Sequence, residues 1–397
     1  MFYLGIDIAK HKHYASIIDQ TGKPITKPFS FHNHKEGGQT LLNRIYQYIE
    51  SPTEILIGME ATGHYWLAIY SFLLDHGFSV IVLNPIQTNA WRKGTEIRKR
   101  KTDAIDATLI ADIIRFGRFM ETPLVDEKMF ALKQMSRFRH ALVSNMSDLK
   151  RKALVVLDQT FPEYQSIFSD VFGKTSSQLL LEYTSPSDYE QLSIDDLTKI
   201  IEQTSRKRLG KKTANTLIQL ASNSFGVTFC KDAFSFQLKI LIEQIHFIED
   251  QIKDCEEHMS QLLVDLDTPI TTVPGVGSIL GATILGEIGD IHRFDKPSKL
   301  VAYAGIDASV SQSGQFESSG MSISKRGSSH LRRALFQAAI TAHKHDPVLK
   351  AFYEKKRKQG KHYYVCIGAV ARKLCYIIYA ILKNNKPYEV PRYSKEV

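Results

Sequence analysis

Residues Phe2-Tyr3-Leu4-Gly5-Ile6-Asp7-Ile8 are an apolar, strand-like run with one acid near its end, and the pattern that follows decides the fold. Tyr14 to Ile18 reads as a second strand, Thr21-Gly22-Lys23-Pro24 as a turn and Ile25 to Phe31 as a third strand, which together suggest an antiparallel meander. A helix follows over roughly Lys35 to Ile49, then a strand Glu54 to Glu60, a helix Tyr65 to His76 closed by Gly77, a strand Ser79 to Leu83, and a helix from about Thr102 to Gly117. Three strands, helix, strand, helix, strand, helix is the order of a ribonuclease H-like mixed sheet.

The chain has 397 residues, too many for one ordinary core, so two or three domains of about 150 residues are expected. Apolar residues make up 43% and charged residues 23%, an ordinary globular balance, and runs such as Val80 to Leu83 or Cys375 to Leu382 are too short to cross a bilayer. The amino terminus lacks a basic region ahead of its apolar residues, so no signal peptide is expected and the protein should remain in the cytoplasm. Cys230, Cys255, Cys366 and Cys375 have no C-x-x-C spacing and sit in apolar contexts, which suits reduced core thiols. A net charge of +9 gathered in dense clusters, among them Arg98 to Lys101 and Lys355 to Lys358, fits a polyanionic partner.

From about Met129 to Leu266 strand signals nearly vanish. Leu238, Leu241, Ile245, Ile248, Ile252, Cys255, Met259, Leu262 and Leu266 recur at alternating spacings of three and four, the period of a coiled-coil seam; the alternative is a long helix packed on its own domain. Residues 150–230 carry no readable role. Beyond them, Pro274-Gly275-Val276-Gly277 reads as a tight turn between helices, open either to phosphate approach or to plain packing. A serine- and glycine-rich loop, Ser309 to Ser329, precedes a helix to Ala342, and an apolar helix, Val365 to Leu382, closes the chain. The expected organisation is therefore a ribonuclease H-like catalytic domain over 1–122, a helical segment over 123–268 with its insertion and a coiled coil over about 236–266, and a mostly helical domain over 269–397.

Four carboxylates bear on function. Asp7 and Glu60 end the first and fourth strands, which are neighbours in this strand order. Asp103 and Asp106, three residues apart, share a face of the following helix, so four acids meet if that helix crosses the strand ends. Such a set suits Mg²⁺ or Mn²⁺, which take oxygen ligands, and a metal pair can clamp both oxygens of a phosphodiester displacement. Taken singly, Asp103 could cap its helix and Asp106 could be a solvated surface acid.

Gly5-Ile6-Asp7-Ile8-Ala9-Lys10, Met59-Glu60-Ala61-Thr62-Gly63-His64-Tyr65, Asn84-Pro85 and Lys101-Thr102-Asp103-Ala104-Ile105-Asp106-Ala107 together resemble the DEDD transposases, the bridge-RNA-guided recombinases of a group of insertion sequences. Pro274-Gly275-Val276-Gly277, Ala302-Tyr303-Ala304-Gly305 and Ser324-Lys325-Arg326-Gly327 with Leu331-Arg332-Arg333-Ala334-Leu335 resemble that family's carboxy-terminal domain. The resemblance covers roughly 1–125 and 235–385. It implies a composite site in which a RuvC-like domain supplies Asp7, Glu60, Asp103 and Asp106 for metal, while the other domain supplies a serine nucleophile. That serine falls on Ser313, with Ser311 the second choice. The cations expected to hold nucleic acid are Arg92, Lys93, Arg98, Lys99, Arg100, Lys101, Lys325, Arg326, Arg332 and Arg333.

The expected activity is RNA-guided recombination of donor and target DNA through a covalent phosphoserine, by a dimer or dimer of dimers joined through the seam helix, in the cytoplasm at the nucleoid. The same acids serve a metal-only endonuclease or Holliday-junction resolvase with water as nucleophile. An actin-like ATPase would need a small phosphate-accommodating residue where Ala9-Lys10-His11-Lys12 stands, and a non-catalytic nucleic-acid scaffold would leave the acids unused.

Overall fold

The computed structural model describes the chain except residues 62, 96–101, 118, 120–125, 309–311, 314–315, 318–321 and 391–397. The chain divides into two compact units, Met1–Leu124 and Val125–Val397.

In the first unit, β1 (Phe2–Asp7), β2 (Lys12–Ile18), β3 (Phe29–His32), β4 (Ile55–Glu60) and β5 (Ser79–Leu83) form one sheet in the order β3-β2-β1-β4-β5. β1 is antiparallel to β2 and parallel to β4, and β4 is parallel to β5. This is the mixed five-stranded arrangement the element order predicts. The third strand is shorter than expected and starts late. Pro24 and Pro28 lack the amide hydrogen a ladder needs, so only an isolated bridge joins Ile18 to Pro24 before β3 begins.

Among the described residues four α-helices accompany the sheet: α1 (Lys35–Ile45), α2 (Trp66–Asp75), α3 (Pro85–Thr95) and α4 (Asp103–Phe116). α1 and α2 share a core with Leu4, Ile6, Ile57 and Met59, and a smaller cluster joins Ile81 and Leu83 to Leu109, Ile110, Ile113 and Ile114 of α4. Apolar side chains thus leave both faces of the sheet, as a sheet sandwiched between helices requires. α3 is absent from the sequence expectation because its apolar periodicity is weak; it starts on Pro85, whose missing N–H costs nothing in a first turn.

The second unit is helical. α5 (Glu127–Thr160) is followed by α6 (Lys174–Glu182), α7 (Pro186–Glu190), α8 (Ile194–Ser205) and α9 (Lys211–Ser222), then by the 34-residue α10 (Lys231–Val264). α6 to α9, with one end each of α5 and α10, enclose a core of their own around Phe161, Tyr164, Tyr189, Leu217 and Ile245. The stretch at 150–230 is therefore a packed helical body. The remainder of the unit holds α11 (Ser278–Ile288), α12 (Pro297–Ala304), a short hairpin of β6 (Gln312–Ser313) and β7 (Phe316–Glu317), α13 (Ser329–His345), α14 (Pro347–Lys358) and α15 (Tyr363–Asn384).

The seam residues of α10 are taken up within the chain: Leu238, Leu241 and Ile245 enter one core, and Cys255 and Met259 enter the other. α15 alone among the described helices is long and apolar enough to cross a membrane. Its Cys366, Ile367, Val370, Ala371, Leu374, Cys375 and Ile378 are instead buried in the larger core of this unit. The cysteine expectation needs one correction. Cys255, Cys366 and Cys375 are buried, but Cys230, at the N-cap of α10, is exposed.

Candidate functional site

The first candidate centre is the carboxyl end of the sheet. Gly5 and Gly58 are paired across β1 and β4, and both lack a side chain where α4 crosses. A Cβ on Gly5 would stand 1.9 Å from the Ala107 carbonyl oxygen, so the helix lies directly on the strand backbone. A Cβ on Gly58 would meet Ile110 and Ile114 of the same helix. Side chains alternate along a strand, so Asp7 and Glu60, two residues on, project from the same face towards α4. Arg115, in the last turn of α4, reaches Gly22 beyond the opposite end of β1. The helix therefore runs against β1 and delivers its first turn to the Asp7 end.

That first turn is capped by Thr102, whose hydroxyl accepts from the Ile105 amide at 3.3 Å. Asp103 is thus freed from capping and stands exposed, whereas Asp106 is only 5% exposed. α3 adds two partners. Thr88 donates to Glu60 at 2.5 Å, and the Arg92 guanidinium lies 2.9 Å from Asp106 Oδ1. The Arg92–Asp106 approach is a contact of charges without hydrogen-bond geometry, because Asp106 Oδ1 and Arg92 Nε both lack a hydrogen-bond partner. Arg92, expected on nucleic acid, is turned inward here. Lys93 is exposed, and Arg98, Lys99, Arg100 and Lys101 lie outside the described residues.

The donors at this end of the sheet are all carboxylate oxygens, the type a hard divalent cation takes, and one of them is buried without a hydrogen bond. In type, the set fits Mg²⁺ or Mn²⁺. Among the described residues, however, no three His, Cys, Asp or Glu side chains are closed into a metal cluster.

The second centre carries the serine. Segments 303–307 and 324–328 are stitched together: the Ser324 amide donates to Asp307 O at 2.9 Å, Lys325 N to Gly305 O at 3.1 Å and Ser328 N to Tyr303 O at 2.8 Å. The Ser324 hydroxyl also donates to the Asp307 carboxylate. From this clamp springs a hairpin with an Ala308–Ile323 bridge at its base and Ser313 paired to Phe316 further out. Ser311 lies outside the described residues. The Ala302 to Gly305 and Ser324 to Gly327 strings, far apart in sequence, are the two sides of one clamp.

Beneath the clamp is Glu287, 1% exposed on α11. Arg137 of α5 donates to it twice, Nε to Oε1 at 2.7 Å and Nη2 to Oε2 at 3.2 Å, and the Ser328 hydroxyl donates to Oε2 at 2.7 Å. Burial pushes the Glu287 carboxyl up, but the pull of Arg137, Ser328 and Lys133 outweighs it and holds the group below its usual value. The Tyr303 hydroxyl donates to the Glu287 carbonyl at 3.1 Å. None of Glu287, Arg137 or Asp307 was singled out from the sequence. The available signal was an acid inside the otherwise apolar helix Ser278–Ile288.

The expected cations divide by location. Lys325 and Arg326 are exposed on the clamp. Arg332 turns back to donate to Ala304 O at 3.2 Å, closing the end of α12, so its guanidinium has a structural partner. Arg333 is exposed and lies 2.7 Å from His140 Nε2. Gly275 settles the Pro-Gly-Val-Gly turn as packing: its φ is +79° and a Cβ there would stand 2.4 Å from Ala338 O of α13.

A mixed five-stranded sheet in the ribonuclease H-like order, with acids at its strand ends, and a helical unit define the class of fold, and similarity identifies the family. Residues 4–162 match the DEDD transposase family model of the IS110 type, and residues 267–354 match the transposase model for the IS116/IS110/IS902 family. The chain is 26% identical over 390 residues to the pilin gene-inverting protein of Moraxella bovis, covering 98% of this chain and 97% of that protein. It is 25% identical over 375 residues to a mini-circle putative transposase for IS117 from Streptomyces coelicolor, covering 90% and 88%. It is also 23% identical over 402 residues to the transposase for insertion sequence element IS1111A of Coxiella burnetii, covering 97% and 90%. The chain belongs to the IS110 family of DEDD transposases, enzymes that act on DNA and are generally dependent on a divalent metal.

Proposed function

We propose that this transposase cuts and exchanges DNA strands with Ser313 as nucleophile, guided by a structured RNA, and that Asp7, Glu60, Asp103 and Asp106 are its metal-binding carboxylates. The observation that carries the reading is the register that turns Asp7 and Glu60 onto the face crossed by α4, where Asp106 is buried. Divalent metal, held by these oxygens, would supply positive charge to the scissile phosphate and lower the barrier to serine ionisation.

The serine step balances without an external energy source. The Ser313 oxygen forms a bond to phosphorus and loses its proton, the bond from phosphorus to the leaving sugar oxygen breaks, and that oxygen is protonated. A sugar hydroxyl of the partner strand then attacks the phosphoserine and releases the serine. One phosphoester bond replaces another in each half, so no ATP is consumed. Three parts serve this reaction: a catalytic domain over 1–122, a helical segment over 123–268 and a serine-bearing domain over 269–397. A second copy is expected against the α5–α10 helices, since Phe236 and Phe247 of α10 remain 70% and 64% exposed. The substrate places the enzyme at the nucleoid.

The test is to incubate the protein with the RNA from its element's non-coding end, donor DNA, target DNA and Mg²⁺, and to map any denaturation-resistant DNA adduct by mass spectrometry. An adduct on Ser313 that Ser313→Ala abolishes is the expected result. Cleavage retained by Ser313→Ala with no adduct would replace it with the water-nucleophile reading, and exchange without RNA would remove the guidance.

A further inference from the structure

Around Glu287 the second unit gathers more positive charge than that carboxylate neutralises. Lys133, Arg137 and His140 stand at i, i+4 and i+7 on one face of α5. His330 and Arg333 come from the first turns of α13, and Arg293 stacks on the rings of Phe294 and Tyr303 at 4.3 and 4.4 Å. The His140 and His330 rings are 5.1 Å apart, and Arg333 Nη1 lies 2.7 Å from His140 Nε2. Glu287 is the one carboxylate bearing on both Lys133 and His330 among the described residues, and Arg137 already occupies it with two hydrogen bonds.

An ordinary charged helix face does not have this form. Arg139, two residues from Arg137, has found its own acid in Glu256 at 2.7 Å, whereas Lys133 faces the charges of Arg137 and Arg293, and among the described residues neither Arg293, which donates to Ile288 O at 3.2 Å, nor Arg333 has an acid for partner. Lys133 is half-buried, and burial, with Arg137 and Arg293, pushes its ammonium below the usual value against the pull of Glu287. Like charges brought together and partly dried are relieved by an anion. The cluster also adjoins the serine hairpin, because Ser328, which caps α13, is bonded to Glu287 and closes the clamp.

We infer that Lys133, Arg333, His140 and His330, set in place by the Arg137–Glu287 pair, form a phosphodiester-binding site for the DNA strand delivered to the serine hairpin. The role of that hairpin rests on the function proposed above, but the binding site does not need the chemistry to occur. Glu287 and Arg137 are positioning residues in this scheme; the contacts to phosphate come from the four others.

The test is binding of the full chain to a DNA duplex without divalent metal, so that no strand is cut, over a range of salt. Each lost phosphate contact lowers the slope of log K against log[salt] by about 0.9. Lys133→Gln with Arg333→Gln should lower it by about 2 and weaken binding about tenfold or more near 0.1 M salt, with no dependence on DNA sequence. Arg139→Gln, whose partner is Glu256, should leave the slope as it was. An unchanged slope in the double variant overturns the site, as does an equal loss in Arg139→Gln. A change seen only with an RNA duplex of the same length overturns the assignment to DNA. Should the double variant melt early, exposed Arg333→Gln alone is read, with an expected change of about 1. A lowered slope together with no serine adduct would remove the proposed chemistry and leave this site standing.

Discussion

Asp106 and Glu287 are both buried carboxylates close to an arginine, one in each unit, and they are satisfied very differently. Glu287 receives two hydrogen bonds from Arg137 and one from Ser328. Asp106 has a guanidinium 2.9 Å away, yet Oδ1 accepts no hydrogen bond. A buried acid with every partner in place holds a structure together, whereas one with an open lone pair can accept an incoming ligand. On the function proposed above, Glu287 is scaffold and Asp106 belongs to the chemistry.

The largest effect should come from breaking the satisfied acid. Glu287→Ala would leave the Ser328 hydroxyl and the partly exposed Arg137 guanidinium without their partner, and a loss of about 2–3 kcal/mol is expected in chemical denaturation of the whole chain. Next is Gly5→Ala, which would press a methyl group into the α4 backbone. The expected loss is about 1–3 kcal/mol, with DNA cleavage reduced in the fraction that stays folded, because the same displacement moves Asp106 from the strand ends.

Asp106→Asn sharpens the contrast in the other direction. It takes away the charge opposite Arg92, whose side chain is 24% exposed, so it should cost less stability than Glu287→Ala while abolishing cleavage and any Mg²⁺-induced rise in melting temperature. A metal-induced rise as large as that of the wild type would take Asp106 out of the ligand set. The smallest effect is in pH dependence. The folded-state value of Glu287 is depressed, so its contribution is fully present above the unfolded value of about 4.3 and is lost as pH falls through the folded value. Glu287→Gln should therefore be less stable than wild type at neutral pH but lose less on acidification, and parallel acid limbs would contradict the role given to this carboxylate.

The first unit was legible because its information is local. Each strand shows its alternation, Asp7 and Glu60 interrupt apolar runs at strand ends, and Thr102 marks the start of α4. What the sequence hid is what depends on distant partners. Glu287 meets Arg137 across 150 residues and Ser328 across 41, and neither spacing leaves a periodic trace. Arg332 and Arg333 are adjacent and looked equivalent, but one closes the end of α12 and the other faces His140. The seam of α10 had the right period for a partner helix; within this chain α5 and two cores take up much of it, a distinction that periodicity alone does not carry.

The clamp at 303–307 and 324–328 has one further consequence, which concerns reach. Both feet of the hairpin are fastened by backbone hydrogen bonds between 303–307 and 324–328, so a change of chain length beyond the Ala308–Ile323 bridge leaves those bonds in place. Doubling the length of such a loop costs only about 0.6 kcal/mol in closure entropy. The span from anchor to Ser313 is then set by chain length, at little closure cost, rather than by the packing of the clamp that holds it.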